Sequence, residues 1–320
     1  MKNRYTHVAC IQAGSTLFDT PATLDRCQDL LQDAVRQLPD GAPKLVVFPE
    51  AFLGGYPKGH HFGAPVGSRS DEGRDWFQRY HQSAITIPGP ETDTLSTLAL
   101  EHKTTIIIGV IERDGCTLYC TALCFNATGK LVGKRRKLMP TAAERVIWGF
   151  GDGSTLDIFD TQAGRLSAVI CWENYMPMLR MSQYAQSPDI WCAPTVDDRP
   201  VWTSLMQTIA LEGRCFVASA SQFLQRRDGP EDFHPVQGDK PETVLINGGS
   251  VIISPLGEVL AGPVFGKETI ITATIDHEEI VRGKMDFDVT GHYARPDIFS
   301  LIVNQEHQSP VNTIDEEPNN

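Results

Sequence analysis

A short apolar run that stops at a reactive side chain limits where that side chain can lie. In Arg165-Leu-Ser-Ala-Val-Ile-Cys-Trp-Glu-Asn174, the residues Leu166, Ala168, Val169 and Ile170 read as a buried strand. The run ends at Cys171, and the polar, turn-compatible Trp172, Glu173 and Asn174 come next. A cysteine where a strand gives way to a loop has rigid backbone behind it and an open cleft ahead. Taken alone, a free cysteine more often packs as a small hydrophobe, so Cys171 needs partners before it reads as a nucleophile.

Two stretches upstream supply candidates. Lys44-Leu-Val-Val-Phe-Pro-Glu50 is a second apolar run that ends on a charge, followed by the bend Gly54-Gly55-Tyr56-Pro57. A carboxylate at the mouth of an apolar strand is partly desolvated, which raises its pKa and suits it to take a proton from a thiol. Gly133-Lys-Arg-Arg-Lys-Leu-Met-Pro-Thr141 is a basic cluster. Lys134, Arg135 and Arg136 read equally well as a solvated face, whereas Leu138 and Met139 turn Lys137 inward.

Phe48-Pro49-Glu50, Lys134-Arg-Arg-Lys137 with Leu-Met-Pro-Thr141, and Cys171-Trp-Glu-Asn174 resemble, in this order, the three catalytic blocks of the nitrilase superfamily. Ala143-Glu-Arg-Val-Ile-Trp-Gly-Phe-Gly-Asp-Gly153 and Gly291-His-Tyr-Ala-Arg-Pro-Asp297 are similar to blocks of its nitrilase branch, close to enzymes acting on β-cyanoalanine. The likeness runs from about residue 8 to about residue 301. It implies a four-layer α-β-β-α sandwich, with Glu50 as general base, Lys137 as the cation that stabilises charge on nitrogen, Cys171 as nucleophile and Glu144 as a second glutamate orienting the lysine. Trp172 is expected to orient the substrate beside the thiol and Glu173 to cap the same turn. Tyr56, Trp172, Glu173, Thr195 and His61 are the expected substrate contacts, with His60 and Phe62 beside them. The resemblance also implies hydrolysis of an organic nitrile, aliphatic or arylaliphatic, to the acid and ammonia, with amide as a by-product. It further implies a homodimer that builds helical homo-oligomers through two helices after Cys171. An amidase or carbamoylase, a cyanide-degrading enzyme of the same superfamily and a non-catalytic interaction protein on the scaffold are the competing readings.

Residues 1–302 are expected to form one domain, and the polar, acidic stretch 303–320 a disordered tail. A formal net charge of −12 argues against nucleic acid as a partner. No signal peptide or membrane-spanning run is read, and a cytoplasmic location is expected. Eight cysteines without Cys-x-x-Cys spacing fit reduced thiols, and neither a metal nor another cofactor is expected.

The rest reads as alternating α and β elements. Asp19-Thr20-Pro21 opens a helix carrying Leu24, Cys27, Leu31, Ala34, Val35 and Leu38 at helical spacing. Residues 44–48 follow as a strand, 56–87 as a long loop with a helix near 72–83, and 89–102 as a helix. Strands are expected at 104–111 and 118–125, the latter with Cys120 and Cys124 on one face. Helices at 176–185 and 200–212 alternate with strands at 189–193 and 215–220. Residues 225–242 read as an exposed charged insertion, 251–254 and 270–275 as strands, and 276 onward as a helix.

Overall fold

The computed structural model describes residues 3–311. Residues 1–2 and 312–320, which include half of the expected tail, lie outside the described residues. Two sheets form because strand-length apolar runs alternate with amphipathic helices, and the C-terminal strand returns to the sheet built by the first half of the chain. The strands are β1 Tyr5–Gln12, β2 Lys44–Val47, β3 Thr104–Asp114, β4 Thr117–Phe125, β5 Leu131–Arg136, β6 Phe159–Thr161 and β7 Gly164–Ala168. They continue with β8 Ile190–Thr195, β9 Phe216–Ser221, β10 Phe223–Gln225, β11 Val244–Ile253, β12 Val259–Phe265 and β13 Thr269–Asp276. The helices are α1 Thr20–Gln37, α2 Asp71–Ser83, α3 Pro90–Glu101, α4 Pro177–Tyr184, α5 Val201–Gly213 and α6 Glu278–Gly283.

The first sheet has strand order β13-β1-β2-β3-β4-β5, and the second β10-β11-β9-β8-β7-β6, with β12 paired to β11. Cys10, Val47, Ile107 and Cys124 of the first sheet meet Ala168, Cys192 and Ala218 of the second in the central core. Leu31 and Ala34 of α1 and Leu95 and Leu98 of α3 cover the outer face of the first sheet. Leu179 of α4 and Trp202, Met206 and Ile209 of α5 cover the second. The order is therefore helices, sheet, sheet, helices, as the resemblance implied. In α1 the Asp19 carboxylate accepts from the Ala22 amide at 3.0 Å, and Cys27, Leu30, Leu31 and Ala34 are buried. Capping and period agree there, which is why the sequence pattern located the helix.

Several expectations are corrected. The strand expected at 251–254 begins at Val244, because Gly248 and Gly249 continue it at φ of 88° and 99° where a strand pattern breaks. β12 was not expected: Gly262 and Pro263 interrupt its apolar pattern, and it pairs with β11 alone, where a missing amide is tolerated. The segment 225–242 is not simply exposed, since Phe233 is fully buried against Phe18 and Trp76. The basic cluster is no solvated face. Lys134 and Arg136 bond the buried Glu112, and Arg135 is buried between the sheets. The described part of the tail, 303–311, is exposed and without regular structure, and the Gln308 amide donates to Asp152 at 2.8 Å.

Candidate active site

Parallel pairing of β1, β2 and β3, and of β7, β8 and β9, sends the ends of β2, β7 and β8 toward one edge of the sandwich. Glu50 follows β2. The chain continues beside β3 after the strand proper, with the Phe48 amide bonded to Ile107 and the Phe52 amide to Gly109, both at 2.8 Å. Gly109 permits this approach: a Cβ there would lie 2.6 Å from both the Ala51 nitrogen and the Glu50 Cα. Gln222, from the second sheet, donates to the Glu50 carbonyl at 2.8 Å. The backbone of the carboxylate is thus held from both sheets.

The Glu50 side chain is buried. Its Oε1 accepts from Lys137 Nζ at 2.6 Å and lies 3.6 Å from the Cys120 sulfur. Its Oε2 is buried and makes no well-formed hydrogen bond among the described residues. Burial raises the carboxyl pKa, Lys137 opposes the rise, and the Glu144 charge adds to it. Lys137 follows β5, and its ammonium also donates to Glu144 Oε2 at 2.8 Å. Burial works against that charge, but Glu50, Cys171 and Glu144 outweigh it and hold the ammonium well above the ordinary lysine range. Glu144 sits on the short 3-10 turn Ala142–Val146, where it also accepts from the Thr141 amide at 2.6 Å and the Tyr56 hydroxyl at 2.7 Å.

Cys171 adopts the left-handed conformation, with φ of 48°. That conformation costs on the order of 1 kcal/mol or more for a side chain with a Cβ, and it persists only where the surroundings enforce it. Here Asn174 enforces it, donating to the Val169 carbonyl at 2.9 Å and the Cys171 carbonyl at 2.8 Å. Trp191 of β8 holds Asn174 in turn through a 2.7 Å bond. The Thr195 hydroxyl donates to the Cys171 sulfur at 3.2 Å. Burial and then the Glu50 charge push the thiol pKa up, so the resting group is the neutral thiol.

The Cys171 residue lines a cavity of about 220 Å³ together with Tyr56, Lys58, Glu144, Trp172 and Arg199. A neighbouring cavity of about 390 Å³ shares Tyr56, Lys58, Thr141 and Glu144 with it and is also lined by Ile147 and Trp148. Trp172 is fixed at the rim by a 2.8 Å bond to Asp197, with Arg199 4.8 Å above its ring. Of the expected substrate contacts, Tyr56 and Trp172 line the first cavity and Thr195 reaches the thiol from below. His61, with His60 and Phe62, lines the second cavity rather than the first. Glu173 is a correction: its side chain is fully buried, and both oxygens are taken by the Leu138 and Ile170 amides. It caps the turn, as expected, and is not a substrate contact. Sequence reading missed Cys120 beside Glu50, Gly109 beneath it, and the Asp197 that holds Trp172. Of these, only the period-2 placement of Cys120 on β4 carried a signal.

A family model for carbon-nitrogen hydrolases matches residues 7–284. The bifunctional nitrilase/nitrile hydratase NIT4B of Nicotiana tabacum is 53% identical over 305 residues, covering 94% of this chain and 86% of its own length. The aliphatic nitrilase of Sinorhizobium fredii is 52% identical over 305 residues, covering 95% and 97%. The crystal structure of a carbon-nitrogen hydrolase from Helicobacter pylori shares the fold, with a TM-score of 0.72 at 18% identity over 93% of this chain and 98% of that one. On the family match and these identities, the chain belongs to the carbon-nitrogen hydrolase family.

Proposed function

We propose that this enzyme is a nitrilase that converts an organic nitrile into its carboxylic acid and ammonia. The observation that carries the reading is the convergence of one ammonium and two carboxylates beside a strained thiol: Lys137 Nζ lies 2.6 Å from Glu50 and 2.8 Å from Glu144, and Cys171 opens on the cavity. The nitrilase names of relatives about half identical over most of the chain support it.

A nitrile carbon is a weak electrophile, and a neutral thiol is a poor nucleophile for it. Glu50 takes the Cys171 proton as sulfur bonds to the nitrile carbon. Lys137 gives a proton to the nitrile nitrogen and recovers one from Glu50 across the 2.6 Å contact. The result is a neutral thioimidate, with the thiol proton relayed to nitrogen. Stabilising the nitrogen anion by a fixed cation in a dry site is worth about 3 to 4 kcal/mol of barrier. Water, deprotonated by Glu50, then adds to carbon. Cleavage of C–N releases ammonia and leaves a thioester, which a second water opens to the acid and the free thiol. Cleavage of C–S instead releases the amide. The two cavities suit an aliphatic or arylaliphatic side chain.

The same reading includes a homo-oligomer assembled through α4 and α5, where Met178, Val201 and Leu211 are exposed. It also includes a reducing, cytoplasmic setting for the free cysteines. No helix among the described residues is long and apolar enough to cross a membrane. The test is a nitrile panel (3-cyanoalanine, phenylacetonitrile, a dinitrile, benzonitrile and cyanide) with acid, amide and ammonia all quantified. Acid and ammonia from at least one organic nitrile, falling roughly 10⁴-fold or more in Cys171→Ala, is the expected outcome. Turnover of the matching amides but of no nitrile would make the enzyme an amidase instead.

A further inference from the structure

The carboxylate of Glu173 joins the two segments that carry the reacting groups. Its Oε1 accepts from the Leu138 amide at 2.7 Å, one residue past Lys137. Its Oε2 accepts from the Ile170 amide at 3.0 Å, one residue before Cys171. Lys137 directly follows β5 of the first sheet and Cys171 lies just past β7 of the second, so one planar group bridges the sandwich at the site.

Arg135 stands behind that bridge. It lies on β5 two residues before Lys137, paired with Ala122, on the face turned to the second sheet. Its Nη2 is 3.7 Å from Glu173 Oε1, and the two side chains are 1% and 0% exposed. Among the described residues, none of the three guanidinium nitrogens makes a close hydrogen bond. A buried guanidinium with so little bonding is costly, and Glu173 is its counter-charge. Glu173 thus accepts from both flanking amides with the Arg135 guanidinium behind it.

We infer that Glu173, backed by Arg135, is a positioning residue that sets the Lys137 ammonium relative to the Cys171 sulfur and thereby decides how the tetrahedral intermediate divides between acid and amide. The inference rests on the nitrilase reading. The intermediate carries sulfur, nitrogen and oxygen on one carbon. Breaking C–N needs a proton delivered to nitrogen, which leaves as ammonia. Breaking C–S needs a proton or a cation at sulfur, which leaves as the thiol and frees the amide. Lys137 interacts with Cys171 electrostatically and, in the proposed mechanism, with the substrate nitrogen, so a shift of the β5 end against the Cys171 turn changes which bond it helps to break. Misplacement by about 1 Å is enough for a hundredfold rate change.

The test uses Glu173→Gln, Arg135→Lys and Arg135→Met in the full-length enzyme, with kcat, KM, the amide-to-acid ratio and Tm measured on one nitrile. Glutamine can accept from only one of the two amides and presents its NH2 to the other. The ratio is the deciding quantity, because both products come from the same folded sites and it does not depend on how much enzyme is folded. In Glu173→Gln the amide share should rise at least threefold, with kcat down by about a hundredfold and KM changed by less than about threefold. Arg135→Met should move the ratio in the same direction. Arg135→Lys keeps the charge but not the planar fork and should move it less, and it serves if the other variants do not fold. A parental ratio in every soluble variant, with activity tracking the folded fraction, would overturn the inference and leave Glu173 a purely structural cap. A parent that makes no acid or amide from any nitrile would overturn the nitrilase reading instead.

Discussion

Replacing Glu144 with glutamine isolates the electrostatic part of the Glu50–Lys137–Glu144 cluster. Three donors meet this carboxylate: Tyr56 at Oε1, and Lys137 and the Thr141 amide at Oε2. A glutamine with its carbonyl oxygen in the Oε2 position keeps Lys137 and Thr141, while its NH2 faces a Tyr56 hydroxyl that can turn and accept. The hydrogen-bond pattern therefore survives and only the charge is lost. At an effective dielectric of about 20, an ion pair with centres about 3.5 Å apart is worth roughly 5 kcal/mol. The amide dipole retains part of this, since charge-assisted bonds are about twice as strong as neutral ones. A net loss of about 2 to 3 kcal/mol is then expected, a 30- to 150-fold fall in kcat if it is felt in the transition state. The pH profile gives the sign. Glu144 helps to raise the pKa of Glu50 and of Lys137, so removing its charge lowers both. In the proposed mechanism Glu50 ionisation sets the acidic limb of kcat/KM and Lys137 deprotonation the basic limb, so both are expected to move to lower pH. Steady-state ammonia release against pH reads the acidic limb directly, whereas the basic limb lies above the ordinary lysine range, beyond about pH 10. A profile that stays in place, or moves to higher pH, with kcat within about threefold of the parent, would refute the electrostatic coupling.

Two further perturbations probe how the site is held. Gly109→Ala puts a methyl group against the backbone of Glu50 and Ala51, atoms that cannot swing away. A destabilisation of about 1 to 3 kcal/mol and a kcat loss larger than the stability loss explains are expected, from thermal unfolding set beside kinetics. Glu112→Gln breaks a buried carboxylate that accepts from Arg136 Nη2 at 2.6 Å, Arg136 Nε at 3.0 Å and Thr121 at 2.8 Å, with Lys134 beside it. Burial alone would raise this carboxyl, but Arg136 and Lys134 hold it below the ordinary range. Its contribution is therefore full above the unfolded value near 4.3 and is lost as pH falls through the depressed folded value. The variant should lose about 2 to 3 kcal/mol at neutral pH. Its stability should fall less steeply than the parent's below about pH 4.5 in urea titrations. Equal slopes would refute the assignment.

Much of this protein was legible along the chain because its signals are local. Apolar runs of strand length mark β2 and β7, and the residues just past each run must lie at a sheet edge. Glu50 and Cys171 were singled out as candidates that way, and the apolar neighbours of Lys137 marked it as turned inward, which its burial bears out. The capped, periodic α1 was legible for the same reason. Strand β12 and the start of β11 were not, because glycine and proline break the local pattern where pairing with a neighbouring strand supplies the order.

The features that only the tertiary structure decided depend on the two sheets meeting face to face. A buried Arg135 and a solvated one have the same sequence signature; the difference is Glu173, which arrives from the other sheet. Cys120 looks like any core cysteine until β4 sets it 3.6 Å from Glu50. The left-handed turn at Cys171 is enforced by Asn174 and by a tryptophan on β8. The chain by itself determines which groups can react, since side-chain chemistry and strand ends are local properties. Their proton affinities and aim are set by burial and by charges brought within a few ångströms from distant segments, and only the folded sandwich provides those.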